Sequence, residues 1–101
     1  MDLAKLKTVN KELENQFVLQ VEEFTAFIDY KVGKKDDIYI IHTKVPTELE
    51  GRGVGHKLVR ESLAIIESAN QKVVPLCPFV RAYMKKHQAD YEHLLAEGRN
   101  L

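Results

Sequence analysis

The sequence predicts an α+β fold (mixed α/β), in which an antiparallel strand meander runs into a helix, a further strand and a second helix. Three observations predict it. Residues 16 to 46 hold β-branched and aromatic runs separated by short charged turns. From Gly55 the apolar and small positions change to the three-to-four-residue spacing of a half-buried helix. Three glycines within five positions, Gly51, Gly53 and Gly55, mark the join between the two patterns.

Taken in order, "QFVLQV" (Gln16 to Val21) and "FTAFIDYKV" (Phe24 to Val32) predict two strands joined tightly at Glu22 and Glu23. "GKKDD" (Gly33 to Asp37) has the turn formers and charges of a solvated hairpin tip. "IYIIHTKVP" (Ile38 to Pro46) predicts a third strand, mostly apolar and therefore central. Gly55, Leu58, Val59, Ser62, Leu63 and Ile66 define the buried face of the main helix, with Lys57, Arg60, Glu61 and Glu67 on its other side. "KVVPLC" (Lys72 to Cys77) predicts a short strand, and Pro78 suits the first position of the helix "PFVRAYMKKH". A last helix is expected from about Asp90 to Ala96, before Gly98.

At 101 residues the chain has room for one hydrophobic core, so a single domain over 1–101 is expected, with a polar N-terminal segment over 1–15. Fifteen basic residues balance fifteen acidic ones, which gives no reason to expect a nucleic-acid partner. The start is polar, and no run approaches the roughly 20 apolar residues of a membrane span. A cytoplasmic monomer with no membrane partner is expected. Cys77 stands alone, so no internal disulfide can form, and a reducing compartment is the simpler assumption.

The glycine loop is the strongest local signal. Glycine adopts positive φ without strain, and the first amides of the following helix lack intrahelical partners at the positive end of its dipole. That combination suits a phosphate or pyrophosphate, with Arg52, His56 and Lys57 adding donors or charge around the mouth. The alternative is a glycine-rich hairpin that merely starts a helix. A P-loop is excluded because His56 follows Gly55 where Lys is required. A dinucleotide G-x-G-x-x-G begun at Gly51 puts His56 in place of its last glycine, after strands that are hairpin-like rather than part of a βαβ unit.

"EGRGVG" (Glu50 to Gly55) resembles the acyl-CoA loop of the GNAT superfamily of N-acyltransferases, written Q/R-x-x-G-x-G/A. The departure falls at Glu50, and bears on that side chain rather than on the amides of Arg52 to His56. With "HTKVP" (His42 to Pro46), "VVPLCPFV" (Val73 to Val80) and "YMKKH" (Tyr83 to His87), the chain from about Phe24 to Leu95 is similar to a small single-domain GNAT-like family. That family includes the human N-acetyltransferase domain-containing proteins and many bacterial relatives. The resemblance implies a minimal GNAT-like fold whose third strand and "KVVPL" strand part like a V, with acetyl-CoA as cosubstrate. It also implies a chain without the first elements of larger GNAT domains, which help to form an acceptor pocket. Val45, Arg52, Gly53, Val54, Gly55, His56 and Lys57 are the cofactor-binding residues it implies.

Three residues are candidates for chemistry. Cys77 precedes Pro78, so its sulfur sits at a helix N-terminus, where the dipole favours negative charge; it is either a reactive thiol or a small buried apolar residue. It matches the cysteine of the family's "P-x-C" motif. Tyr83 resembles the tyrosine that many GNAT enzymes use to protonate the leaving CoA thiolate, and is otherwise a core aromatic. His42 matches the histidine of "H-T-x-V-P" and could act as general base, but its alternation with Ile38 and Ile40 favours a core histidine. Pro75 either marks the splay or simply ends a strand. His87 and His93 with Cys77 fit no closed zinc site, and no metal is expected.

The function expected is transfer of an acetyl group from acetyl-CoA to an unidentified amine, a small molecule or a protein lysine, either directly or through Cys77. The alternatives are a non-catalytic acyl-CoA-binding sensor or scaffold, and a redox-sensing thiol protein.

Overall fold

The computed structural model describes residues 2–101. Its five strands, β1 (Val9–Lys11), β2 (Gln16–Val21), β3 (Phe24–Val32), β4 (Ile38–Lys44) and β5 (Val73–Pro75), form one sheet in sequence order. The first four run antiparallel, as expected of a meander, and β5 lies parallel to β4. A parallel neighbour requires a crossover, and α1 (Val54–Ser68) supplies it. α2 (Pro78–Lys86) and a single-turn α3 (Gln88–Tyr91) follow, with Pro78 opening α2 as its missing N–H allows.

Two details differ from the sequence reading. The polar start contains the edge strand β1, in which only Val9 is apolar, too short to show alternation; backbone pairing to β2 creates it. The last helix starts earlier, at Gln88, and continues as a 3-10 turn at Glu92–Leu94 instead of reaching Ala96. Leu95 and Ala96 instead run along β5, where Leu95 bridges Val73 and the Ala96 N–H donates to the Val73 carbonyl at 2.9 Å. A second chain pairing with β5 thus wins over continued helix.

The core lies on one sheet face. Phe17, Leu19 and Val21 of β2 and Ala26, Ile28 and Tyr30 of β3 pack with Leu58, Val59, Leu63 and Ile66 of α1 and Val80 and Met84 of α2. Each fully buried Leu, Ile or Met contributes on the order of 1.5–3 kcal/mol. No helix among the described residues is long and apolar enough to cross a membrane.

Lys57 is a correction. The helical pattern put it on the polar side near the glycine mouth, but its side chain is 8% exposed and its Nζ lies 2.9 Å from Glu61 Oε2. Glu61 Oε1 in turn accepts from both the N–H and the hydroxyl of Thr8, each at 2.9 Å. The N-terminal segment therefore closes over this pair, something helical periodicity cannot anticipate.

A bulge in β4 decides which side chains reach the site. Tyr30 pairs with Ile40 but Asp29 pairs with His42, so Ile41 is an extra residue with no partner on β3. Directly opposed residues share a face, so the bulge turns Thr43, paired with buried Ile28, to the core side and His42, paired with Asp29, to the other. His42 is exposed. The expected core histidine is overturned, because unbroken alternation from Ile38 assumes the register that Ile41 breaks.

On the other edge of β4, pairing with β5 stops at Ile40 and Pro75. The next two amides, of Leu76 and Cys77, both donate to the Ile40 carbonyl at 3.0 Å and turn the chain away. Pro75, without an N–H, occupies the last paired position, so the strand-end and splay readings describe the same place.

The Thr8–Glu61–Lys57 cluster sets an acid-sensitive contribution to stability. Burial would raise the Glu61 pKa, but hydrogen bonds from Lys57 and Thr8 outweigh it and leave it below the ordinary value of 4.5. The unfolded chain therefore binds the proton more readily. The stabilisation is fully present above the unfolded pKa and is lost as pH falls through the lower folded one. Glu61→Ala is expected to cost about 3 kcal/mol at neutral pH by leaving Lys57 buried and unpaired. In urea titrations the gap between wild type and variant should narrow as pH falls below the ordinary carboxyl value of 4.5.

Candidate active site

Where β4 leaves β5 a cavity of about 570 Å³ opens, lined among others by Thr43 of β4 and Val45 just beyond it, Glu50 and Gly53 of the glycine segment, His56 of α1, and Phe79 of α2. Thr43 and Val45 alternate on the face that the bulge set inward. Val45 leads through Pro46 into a 3-10 turn at Thr47–Leu49, whose Leu49 is fully buried and anchors the loop.

Two loop glycines serve the backbone. Gly51 and Gly53 both have φ of +78°, and a Cβ on either would meet nothing within 4 Å, so conformation rather than space demands them. Gly53 is the N-cap of α1 and offers no side chain to cap it. The N–H groups of Arg52 to His56 accordingly make no hydrogen bond among the described residues, and the first amide of this stretch to find an acceptor is Lys57, which donates to the Gly53 carbonyl. A row of unclaimed donors at the positive end of a 15-residue helix faces a cavity. Gly55 is different: a Cβ there would lie 3.0 Å from the Phe79 ring, so its small size lets α2 approach α1.

Opposite the loop stands the start of α2. Cys77 is its N-cap residue, 5% exposed, with Sγ 3.4 Å from the Thr43 hydroxyl. Thr43 thus lines the cavity on one side and touches the thiol on the other. Half-buried Tyr83 follows on α2 amid rings: His56 with centroids at 5.6 Å, His87 at 4.7 Å and Tyr91 at 5.7 Å. The Tyr83 and Tyr91 hydroxyls are 3.5 Å apart. Burial first, and the hydrogen bond to Tyr83 second, push the Tyr91 pKa above the usual tyrosine range, so Tyr91 keeps its proton.

A family model for the GCN5-related N-acetyl-transferases matches residues 16–94, most of the chain and all of β2 to α3. The chain belongs to the GCN5-related N-acetyltransferase family. It is an acyltransferase of that family. Among solved structures it is similar to a GCN5-like protein from Staphylococcus aureus, determined in solution by NMR, at 27% sequence identity and a TM-score of 0.65. That likeness covers 99% of this chain and 95% of the other. A search of curated proteins gave no match.

Of the residues expected at the site of this acetyltransferase, the structure brings Val45, Gly53, Val54, Gly55 and His56 to the cavity wall. Cys77 and Tyr83 stand on α2, tied to that wall through Thr43 and His56. Arg52 is exposed in the loop. Lys57 and His42 point elsewhere, as above. Thr43, Glu50 and Phe79 were not among the expected site residues, although the motifs "HTKVP", "EGRGVG" and "VVPLCPFV" contain them. Tyr91 carries no motif and becomes visible only through its contact with Tyr83. Among the described residues no three His, Cys, Asp or Glu side chains gather as a metal site; His93 bonds Glu67 at 2.7 Å instead.

The left-handed cap gives a direct test. Gly53→Ala places a Cβ on a φ of +78° and is expected to cost about 1–2 kcal/mol. For a domain of this size that lowers the melting temperature by about 4–8 °C per kcal/mol, measurable by thermal circular dichroism.

Proposed function

We propose that the chain transfers the acetyl group of acetyl-CoA to an amine, with the pyrophosphate of the coenzyme held by the amides of Arg52 to His56 and the thioester lying near Thr43 and Cys77. The observation that carries this reading is the row of unclaimed N–H groups at the α1 N-terminus, opening into the space where β4 leaves β5. Arg52 and His56 add donors at the same mouth, whereas Lys57 is committed to Glu61 and takes no part.

Catalysis rests chiefly on positioning. A thioester held against the free edge of β4 meets its amine at fixed distance, and a strand amide polarises the carbonyl as negative charge develops on its oxygen. The amine nitrogen forms its bond to the acetyl carbon as the bond to the CoA sulfur breaks, Tyr83 gives the leaving thiolate a proton, and the proton that the nitrogen sheds restores the phenol. Tyr91 steadies that hydroxyl through their contact. The acceptor is an amine of a small molecule or of a protein lysine.

A second route is favoured by one contact, the Thr43 hydroxyl on the Cys77 sulfur. In it the sulfur of Cys77 takes the acetyl group, CoA leaves with the thiol proton, and the amine then displaces the cysteine. Intact-protein mass spectrometry after mixing with acetyl-CoA alone separates the routes. An acetyl adduct lost with hydroxylamine and absent from Cys77→Ala establishes the covalent one. Unmodified protein that releases CoA only when an amine is added establishes direct transfer. No heat of binding with acetyl-CoA in calorimetry refutes both.

Glu50 offers an independent check. Glu50 lines the cavity in the loop proposed to hold the pyrophosphate, where like charge opposes binding. Glu50→Gln is expected to tighten acetyl-CoA binding by about threefold at low salt, a gain that fades as salt screens the exposed charge. Calorimetry at two ionic strengths measures it.

A further inference from the structure

A second, smaller cavity of about 210 Å³ lies beside β5, lined by Val74, Leu76, Arg81, Gly98, Arg99 and Asn100 among others, and it shares no lining residue with the first. No carboxylate lines it. Two arginines do, one from α2 and one from the C-terminal stretch.

Arg99 is set by the C-terminal stretch. The Ala96 N–H bond to the Val73 carbonyl docks that stretch along β5. The chain then reverses: the Arg99 N–H donates to the Ala96 carbonyl at 3.0 Å, and Gly98, with φ of +82°, occupies the third position of the turn, where glycine is favoured. The Arg99 guanidinium carbon lies 6.0 Å from the centre of the Tyr39 ring, at the reach of a cation–π contact. Tyr39 pairs with Val74 across β4 and β5, so the guanidinium stands over the face that Val74 gives to the cavity. The Tyr39 ring has room because Gly33 beside it has no Cβ. Arg81 comes from the first turn of α2, its N–H bonded to the Cys77 carbonyl at 3.0 Å.

Neither guanidinium forms an ion pair among the described residues. Glu97, the acid within the Gly98 turn, is directed to Lys35 at 3.7 Å instead. Two arginines that line one small cavity and form no ion pair among the described residues suit a carboxylate or a phosphate, which a guanidinium can bind through paired N–H donors. We propose that this pocket is an oxyanion-binding site, recognising a carboxylate or phosphate group on a small ligand. It shares no lining residue with the cavity at the glycine loop and needs no coenzyme, so it stands apart from the acetyl-CoA reading.

The test is an NMR titration of the uniformly 15N-labelled full chain, without coenzyme, following the Nε–H signals of Arg81 and Arg99 and the amides of Leu76 and Asn100. Succinate and inorganic phosphate are added separately at constant ionic strength. Saturable shifts at these four residues are expected with at least one of the two, and the tighter one names the class. Arg81→Gln and Arg99→Gln should each weaken binding about tenfold, and Arg81→Lys, which keeps charge but loses the fork, by less. Absence of saturation with both anions, or an affinity unchanged in both glutamine variants, overturns the proposal. Unchanged amide shifts at Val73 and Val80 establish that the variants keep the fold.

Discussion

The parting of β4 from β5 after Ile40 and Pro75 is the constraint on which the rest depends. Two features impose it at the same level of the sheet. Pro75 brings no N–H to the ladder, and Ile41 adds a residue that bends β4 and resets its faces. The Ile40 carbonyl takes the amides of both Leu76 and Cys77. One carbonyl thus ends the strand pairing and starts α2.

From that point the site follows with little freedom. Thr43 and Val45 face inward because the bulge turned them there, and Cys77 meets Thr43 because the chain that leaves β5 folds back at Ile40. The α1 N-terminus completes the mouth, with donors left open by a glycine cap that has no side chain to satisfy them. Glu50 is the one charge that works against an anion there, and the motif comparison had already set it apart.

The sheet's outer side holds a separate arrangement. The C-terminal stretch lies along β5, turns at Gly98 and returns Arg99 over Tyr39. The smaller cavity borders the short strand Val73–Pro75 and its exit, where Leu95 and Ala96 add pairing, whereas the larger opens along the stretch of chain that follows the loss of pairing between β4 and β5.

The amino-acid sequence alone determined the meander, α1, α2 and the glycine loop, because each is encoded by local rules: alternation, helical spacing, proline at a first turn and glycine where φ is positive. It also marked Cys77, Tyr83 and the cavity-lining glycines, through motifs whose spacing survives folding. Tertiary structure decided the rest. β1 exists only because β2 offers it an edge, and the tail beyond Leu94 only because β5 does. His42 faces outward because of one inserted residue, and Lys57 is buried because Thr8 and Glu61 close over it. Those outcomes depend on register and on partners far along the chain, and neither is written in the neighbours of the residue concerned.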